Sequence, residues 1–298
     1  MINLRQLADL AARYETELSC PVAPLRIGDQ VIDTDLDPIL MGVVNLSRDS
    51  AYRESIAVSH ESAVRKARIQ VAQGAQLVDI GAESSRASAA RVPASEQEQA
   101  LIPVIEELSH DGIVVSIESY ATEVVRAGLK AGARVLNLTG SNVDEEMFSL
   151  AAEYDATVIL CHVLGPHARA LDGSDVQDDP VPGMLDQFGT RIDRARELGV
   201  SQLALDPGLG FGFRLDDQRA RAHYQAVTLL HSFRLRQLGV PICHALPHAF
   251  DVFEDQFRTG EGFFAVLAHL GGTGIYRTHE IPQVRAVLDA LQTFTAEQ

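Results

Sequence analysis

Leu203-Ala204-Leu205-Asp206-Pro207-Gly208-Leu209-Gly210-Phe211-Gly212-Phe213 is a short apolar run that stops at a carboxylate and then breaks into a proline and three glycines. A run of this shape reads as a buried parallel strand that delivers one acid, Asp206, to its C-terminal end. The glycine-rich loop beyond it lets a ligand approach the backbone closely. An Asp that merely caps a turn before Pro would look the same in isolation, so the meaning of Asp206 depends on whether the pattern recurs.

It recurs along the chain. Apolar runs ending in a polar residue occur at Ile39 to Leu46, Leu77 to Ile80, Ile113 to Ile117, Val135 to Leu138, Thr157 to Leu160, Leu203 to Leu205, Val240 to Cys243 and Gly274 to Tyr276. Segments with helical periodicity, such as Ser62 to Val71 and Thr122 to Lys130, lie between most of them. Gly74-Ala75 and Gly132-Ala133 each precede a run, as expected where a helix ends at glycine and turns back into a sheet. Eight strands alternating with helices predict an α/β fold, a (β/α)8 TIM barrel, and a chain of 298 residues suits one. No Pro/Ser-rich linker divides the sequence. We therefore expect a single domain: an N-terminal helical extension over residues 1–36, whose first ten residues have helical spacing, followed by the barrel over 37–298.

Composition narrows the partners. A formal net charge of −16 argues against nucleic acid, whose phosphates need a clustered positive surface. The N-terminus lacks the apolar stretch of a signal peptide or a membrane span. Cys20, Cys161 and Cys243 are widely spaced and odd in number, which suggests neither a disulfide frame nor a structural zinc site and points to the reducing cytoplasm.

In a barrel of this kind the active site lies at the C-terminal ends of the strands. Those ends carry Asn45, Asp79 with Glu83, Glu118, Asn137, His162, Asp206, the His244 to His248 region, and Arg277 with His279. Carboxylates and amides (Asp79, Glu118, Asn137, Asp206) suit the edge of an amidine-like heterocycle, because two parallel N–H donors meet two carboxylate oxygens. Arg277 and His279 share one side of an extended segment and, with Arg86 from across the mouth, suit an anion. Long irregular segments at 47–56, 84–93, 164–182 and 245–260 fall after the first, second, fifth and seventh strands, where substrate loops are expected. The acidic stretch 172–179 reads as a solvated loop.

Several of these segments resemble the motifs of one family. Met41-Gly42-Val43-Val44-Asn45-Leu46-Ser47-Arg48-Asp49-Ser50 resembles the first motif of dihydropteroate synthases, and Asp79-Ile80-Gly81-Ala82-Glu83-Ser84-Ser85-Arg86 their second. Ser116 to Ser119, Asn137 to Gly140, Leu205 to Gly212 and Arg277 to Glu280 resemble the later ones in the same order. The resemblance implies a pterin-binding barrel that joins a pterin methyl pyrophosphate to p-aminobenzoate or a related amine, releasing pyrophosphate with Mg2+ assisting, in a homodimer. It assigns the pterin to Asp206 and Asn137 with Asp79 and Glu118 beside it. Asn45 falls to the magnesium, and Ser85, Arg86, Arg277 and His279 to the pyrophosphate. Several positions depart from the family pattern: Glu118 replaces the usual Asp, Leu138 stands where an Asp follows the Asn, and Cys161 replaces Met. Phe213 stands where the glycine-rich motif ends in Lys, and Ala245-Leu246-Pro247-His248-Ala249-Phe250 replaces a Ser-Arg-Lys segment, leaving His248 as the available cation. These departures keep a non-catalytic or altered-specificity pterin-binding paralogue as the alternative. A corrinoid methyltransferase on the same barrel has no use for the anion-binding residues, and a metal-dependent hydrolase built on His162, His244, His248 and His279 lacks any HxH or HExxH spacing.

Overall fold

Buried parallel strands read as continuous apolar runs because both faces are covered, and the long runs of this chain form such strands. The computed structural model describes residues 2–47, 56–57, 59–84, 91–167, 171, 176–210 and 212–294. After two short helices, α1 (Leu4–Arg13) and α2 (Glu15–Leu18), and a hairpin of β1 (Leu25–Ile27) with β2 (Gln30–Ile32), eight strands follow: β3 (Ile39–Asn45), β4 (Leu77–Gly81), β5 (Val114–Glu118), β6 (Val135–Leu138), β7 (Thr157–Cys161), β8 (Leu203–Asp206), β9 (Cys243–Ala245) and β10 (Ile275–Thr278). They form one sheet in the order β8-β7-β6-β5-β4-β3-β10-β9, every neighbouring pair parallel. A parallel bridge between Leu205 and Ile242 joins the two ends and closes the barrel.

The connecting helices are α3 (His60–Gln73), α4 (Ala94–His110), α5 (Thr122–Lys130), α6 (Asp144–Glu153), α7 (Val181–Glu197), α8 (Gln218–His231), the single turn α9 (Phe250–Phe253), α10 (Phe257–Leu270) and α11 (Ile281–Gln292). Local sequence sets their ends. Ser59 caps α3 in a reciprocal capping box with Ser62, and Gly74 ends it in the left-handed region at φ 117°, a conformation that glycine adopts without a Cβ clash.

One strand starts later than its apolar run suggests. The run Val240 to Cys243 becomes a strand only at Cys243, because Pro241 has no N–H to place in a ladder. Its carbonyl still accepts from Leu205 N at 2.9 Å, so the residues before β9 serve as the closing seam.

Strand alternation then sorts the interior into layers. Ile39, Met41, Leu77, Val135, Ile159, Ala204, Cys243 and Ile275 form one apolar cluster with Leu25 and Ile27 of the hairpin, so β1 plugs the N-terminal end of the barrel. The N-terminal segment thus combines helices with a hairpin that the sequence did not announce. Two residues further along β4, β5, β6, β8 and β10 stand Asp79, Ser116, Asn137, Asp206 and Arg277. The same period of two that makes the base apolar therefore makes the mouth polar.

Candidate active site

Asp79 is the hub of the mouth. Its Oδ1 accepts from Ser116 Oγ at 2.7 Å, and its Oδ2 accepts from Asn137 Nδ2 at 3.0 Å and from Arg277 Nε at 2.8 Å. A carboxylate that is only 1% exposed is tolerable there because each oxygen has a donor and one donor is charged. Glu118, one side-chain step above Ser116 on β5, receives Thr139 Oγ1 at 3.3 Å on Oε1, and its Oε2 lies 3.5 Å from the second arm of Arg277. Arg277 thus spans two acids and its guanidinium stays charged: burial pulls its pKa down, but Asp79 and Glu118 outweigh that and raise it.

Asp206 stands at the end of β8 and accepts from Gly208 N at 2.8 Å, a turn made by the glycine loop itself. Gly208 holds φ 76°, and a Cβ at that position would run into the carbonyl of His162. Burial raises Asp206 to about 6, against the backbone hydrogen bond and Arg277, which favour its charged form. Burial and the neighbouring Asp79 raise Glu118 to about 7. Three carboxylates facing one arginine make a pocket that attracts cations and N–H donors, and the proton on Glu118 is loosely held at neutral pH.

The remaining candidate residues take separate places. Asn45 ends β3, half-buried, with its backbone carbonyl accepting from Ala57 N at 2.7 Å. Ser85 and Arg86 lie outside the described residues, as do most of the first loop and part of the acidic loop. His279 follows the end of β10 and leaves the face of Arg277: its backbone N–H donates to the buried carboxylate of Glu261 on α10, and its ring lies 5.3 Å from that of His248. Burial lowers His279 to about 3. His248 meets Glu261 Oε1 at 3.0 Å and stacks on Phe250. Phe213 is buried beneath the glycine loop, packed on Tyr224 with ring centroids 4.4 Å apart, and Arg221 lies 5.2 Å over its ring. Sequence reasoning named neither Glu261 nor Arg221, because each sits inside a helix whose periodicity explains it without any site.

Two histidines from the strand-end set are structural. His162 is hydrogen bonded to Gln187 and disfavours its charge through burial. His244 points into the core, where burial lowers it to about 3. Beside the mouth, Glu83, Arg91, Gln97 and Tyr120 line a cavity of 350 Å³, with Arg91 Nε 2.9 Å from Glu83 Oε1.

With this geometry in place, likeness to known proteins becomes specific. The family model described as "Pterin binding enzyme" matches residues 41–279, which begin within β3 and end just past β10. The dihydropteroate synthase of Synechocystis sp. is 30% identical over 283 residues, covering 90% of this chain and 95% of that one. The chain belongs to the dihydropteroate synthase family. Among solved structures, the family member from Xanthomonas albilineans in complex with 4-aminobenzoic acid superposes with a TM-score of 0.78 at 28% identity, covering 93% of this chain and 100% of that one. The same enzyme in complex with 7,8-dihydropteroate gives 0.72 at 26% identity, covering 92% and 99%. Dihydropteroate synthases are transferases, and the expected TIM barrel and family membership both hold for this chain.

Proposed function

We propose that this family member joins a pterin methyl pyrophosphate to p-aminobenzoate at the mouth of the barrel. The bond between the pterin methylene carbon and the pyrophosphate oxygen breaks, and its electron pair leaves on pyrophosphate. The amine nitrogen lends its lone pair to the same carbon, forms the C–N bond and gives up a proton to solvent or to a nearby carboxylate. The observation that carries this reading is the buried set Asp79, Glu118, Asn137, Asp206 and Arg277. Asp206 accepts paired N–H groups from the heterocycle's edge, and Asn137, held against Asp79, offers its amide oxygen. The acids stabilise positive charge that develops on the pterin as the leaving group departs. Arg277, Ser85 and Arg86 are assigned to the pyrophosphate, whereas His279, expected beside them, turns to Glu261 and is left out of that role. That relatives from Xanthomonas albilineans were solved with 4-aminobenzoic acid and with 7,8-dihydropteroate supports the same pair of substrates here.

Asn45 fits a role toward Mg2+. It contributes one neutral amide oxygen at the rim of the mouth, and Mg2+ takes few protein ligands, keeping water and phosphate oxygens for the rest. Bound there, Mg2+ would neutralise charge on the pyrophosphate. We place the enzyme in the cytoplasm, consistent with its three free thiols, and assign it a homodimeric state supported by Phe263 and Leu270, which α10 leaves half exposed. No helix among the described residues is long and apolar enough to cross a membrane.

The test is direct. Purified protein incubated with the pterin pyrophosphate, p-aminobenzoate and Mg2+ is expected to release pyrophosphate and dihydropteroate in equal amounts. Absence of both products would overturn the reading. Light scattering after gel filtration gives the oligomeric state.

A further inference from the structure

His248, Glu261 and His279 come from three separate elements: the segment after β9, the second turn of α10, and the residue following β10. Their ligand atoms nevertheless lie within 4.8 Å of one another, and among the described residues they are the one such grouping of three. We propose that they bind a single divalent transition-metal ion of the zinc class.

The donor chemistry selects that class. Two imidazole nitrogens and one carboxylate oxygen suit Zn2+, Co2+ or Ni2+, whereas Mg2+ and Ca2+ prefer all-oxygen sets. Around a tetrahedral ion with bonds of about 2.0–2.1 Å, neighbouring donors stand roughly 3.3 Å apart. His248 Nε2 and Glu261 Oε1 are 3.0 Å apart, and the third donor, from His279, lies within 4.8 Å of both.

The surroundings hold the carboxylate as metal sites do. Glu261 is fully buried; Thr278 Oγ1 donates to its Oε2, as does the backbone N–H of Glu280 at 3.2 Å, and the backbone N–H of His279 is shared between Oε2 at 3.1 Å and Oε1 at 3.2 Å. Oε1, the oxygen facing His248, carries only a share of one N–H and is the better placed of the two for a cation. Outer donors of this kind fix ligand orientation in metal centres. Phe250, stacked on the His248 ring at 5.2 Å and 7°, and Phe257 form an apolar wall on the same imidazole.

A simple ion pair explains less. An ion pair needs one ring beside Glu261, yet two converge on it with centroids 5.3 Å apart, an arrangement that suits two nitrogen donors to one cation. The site is separate from the oxygen-donor role assigned to Asn45. It ties the segment after β9 to α10 and β10, where the family's Ser-Arg-Lys segment is missing.

The experiment uses the untagged full-length chain, stripped with a chelator, and ZnCl2 or CoCl2 alone without pterin, so its outcome is independent of the proposed transferase reaction. Expected results are one ion bound per chain by calorimetry, a visible absorption band with Co2+, and a rise in melting temperature with Zn2+. His248→Ala and His279→Asn should each weaken binding at least tenfold and abolish the band, and the surface variant His269→Ala should leave both unchanged. Circular dichroism checks that each variant folds. If Glu261→Gln unfolds, the two histidine variants still decide. Failure of the wild type to bind either ion, or undiminished binding in folded His248→Ala and His279→Asn, overturns the proposal.

Discussion

Asp206 and Glu118 are acids that burial pushes toward neutrality inside a site proposed to use their charge, and this tension can be measured. Asp206 rises from 3.8 to about 6, so the carboxylate proposed to accept the pterin's N–H groups is lost as pH falls through that value. Pterin affinity should therefore drop on the acid side of about pH 6. Asp206→Asn should cost about tenfold to a hundredfold in affinity at pH 8, as expected for a hydrogen bond to a charged partner, and should flatten the acid limb. Isothermal titration with the pterin substrate across pH 5–8 checks both. Glu118 gives a stability counterpart. Its folded-state pKa, about 7, lies above its ordinary 4.5, so the native state binds more protons than the unfolded state between those values. The associated stability is fully present below pH 4.5 and is lost as pH rises through 7. Chemical denaturation of wild type and Glu118→Gln should show this slope in the first and its reduction in the second. These acids were legible in the sequence because each ends an apolar run. The partners that shift them were not: that Arg277 grips Asp79 and Glu118, while His279 turns away to Glu261, depends on which way a chain leaves the end of β10. The i, i+2 rule holds only while the strand continues, and β10 stops at Thr278.

Strands and the loops that follow them show the same division. Seven of the eight apolar runs overlap their strands closely because fully buried strands leave no alternative to apolar residues. The seventh shifts to Cys243–Ala245, since proline removes a donor that hydropathy does not register. The hairpin at residues 25–32 escaped notice for a related reason: its strands are three residues long, below the length at which alternation can be read. Beyond β8, the glycine loop can be tested as an element. Gly208 combines a positive φ of 76°, an amide donated to Asp206, and a Cβ direction aimed at the carbonyl of His162. Gly208→Ala should cost about 1–2 kcal/mol for the left-handed backbone alone, with the carbonyl clash in addition. Because relief of that strain moves the Gly208 amide, Asp206 loses its aim, and turnover should fall further than stability does. Thermal melts together with steady-state kinetics separate the two losses, and a variant with wild-type turnover would show that the loop does not orient Asp206.

Across the molecule, the barrel is sealed at one end by its own N-terminal segment and open at the other to ligand. Leu25 and Ile27 are 1% and 5% exposed among interior residues of the strands, while Arg26 between them holds Asp155 through two hydrogen bonds of 2.9 and 2.7 Å. The backbone of Arg26 is engaged as well: its N–H donates to Gln202 at 2.8 Å, and its carbonyl accepts from Thr157 Oγ1 at 2.8 Å. Alternation thus splits one short strand into an apolar plug facing the barrel and a polar clamp facing its rim. The helices before it have no fully buried residues and pack elsewhere, Leu7 and Leu10 on the cluster around α8 and α10 and Tyr14 beneath Arg234 at 4.1 Å, so they do not form this seal. Removal of residues 1–18 should consequently leave a folded barrel whose melting temperature falls by less than Leu25→Ala lowers it. Leu25→Ala should cost about 2–5 kcal/mol, the range for a buried leucine whose cavity cannot collapse, because rigid strands surround it. Arg26→Ala should cost far less, since its ion pair is with an exposed Asp155 and is screened by solvent. Denaturant titration of the three variants ranks these effects. If Leu25→Ala proved no more harmful than Arg26→Ala, the hairpin would be an ornament of the barrel's base rather than its plug.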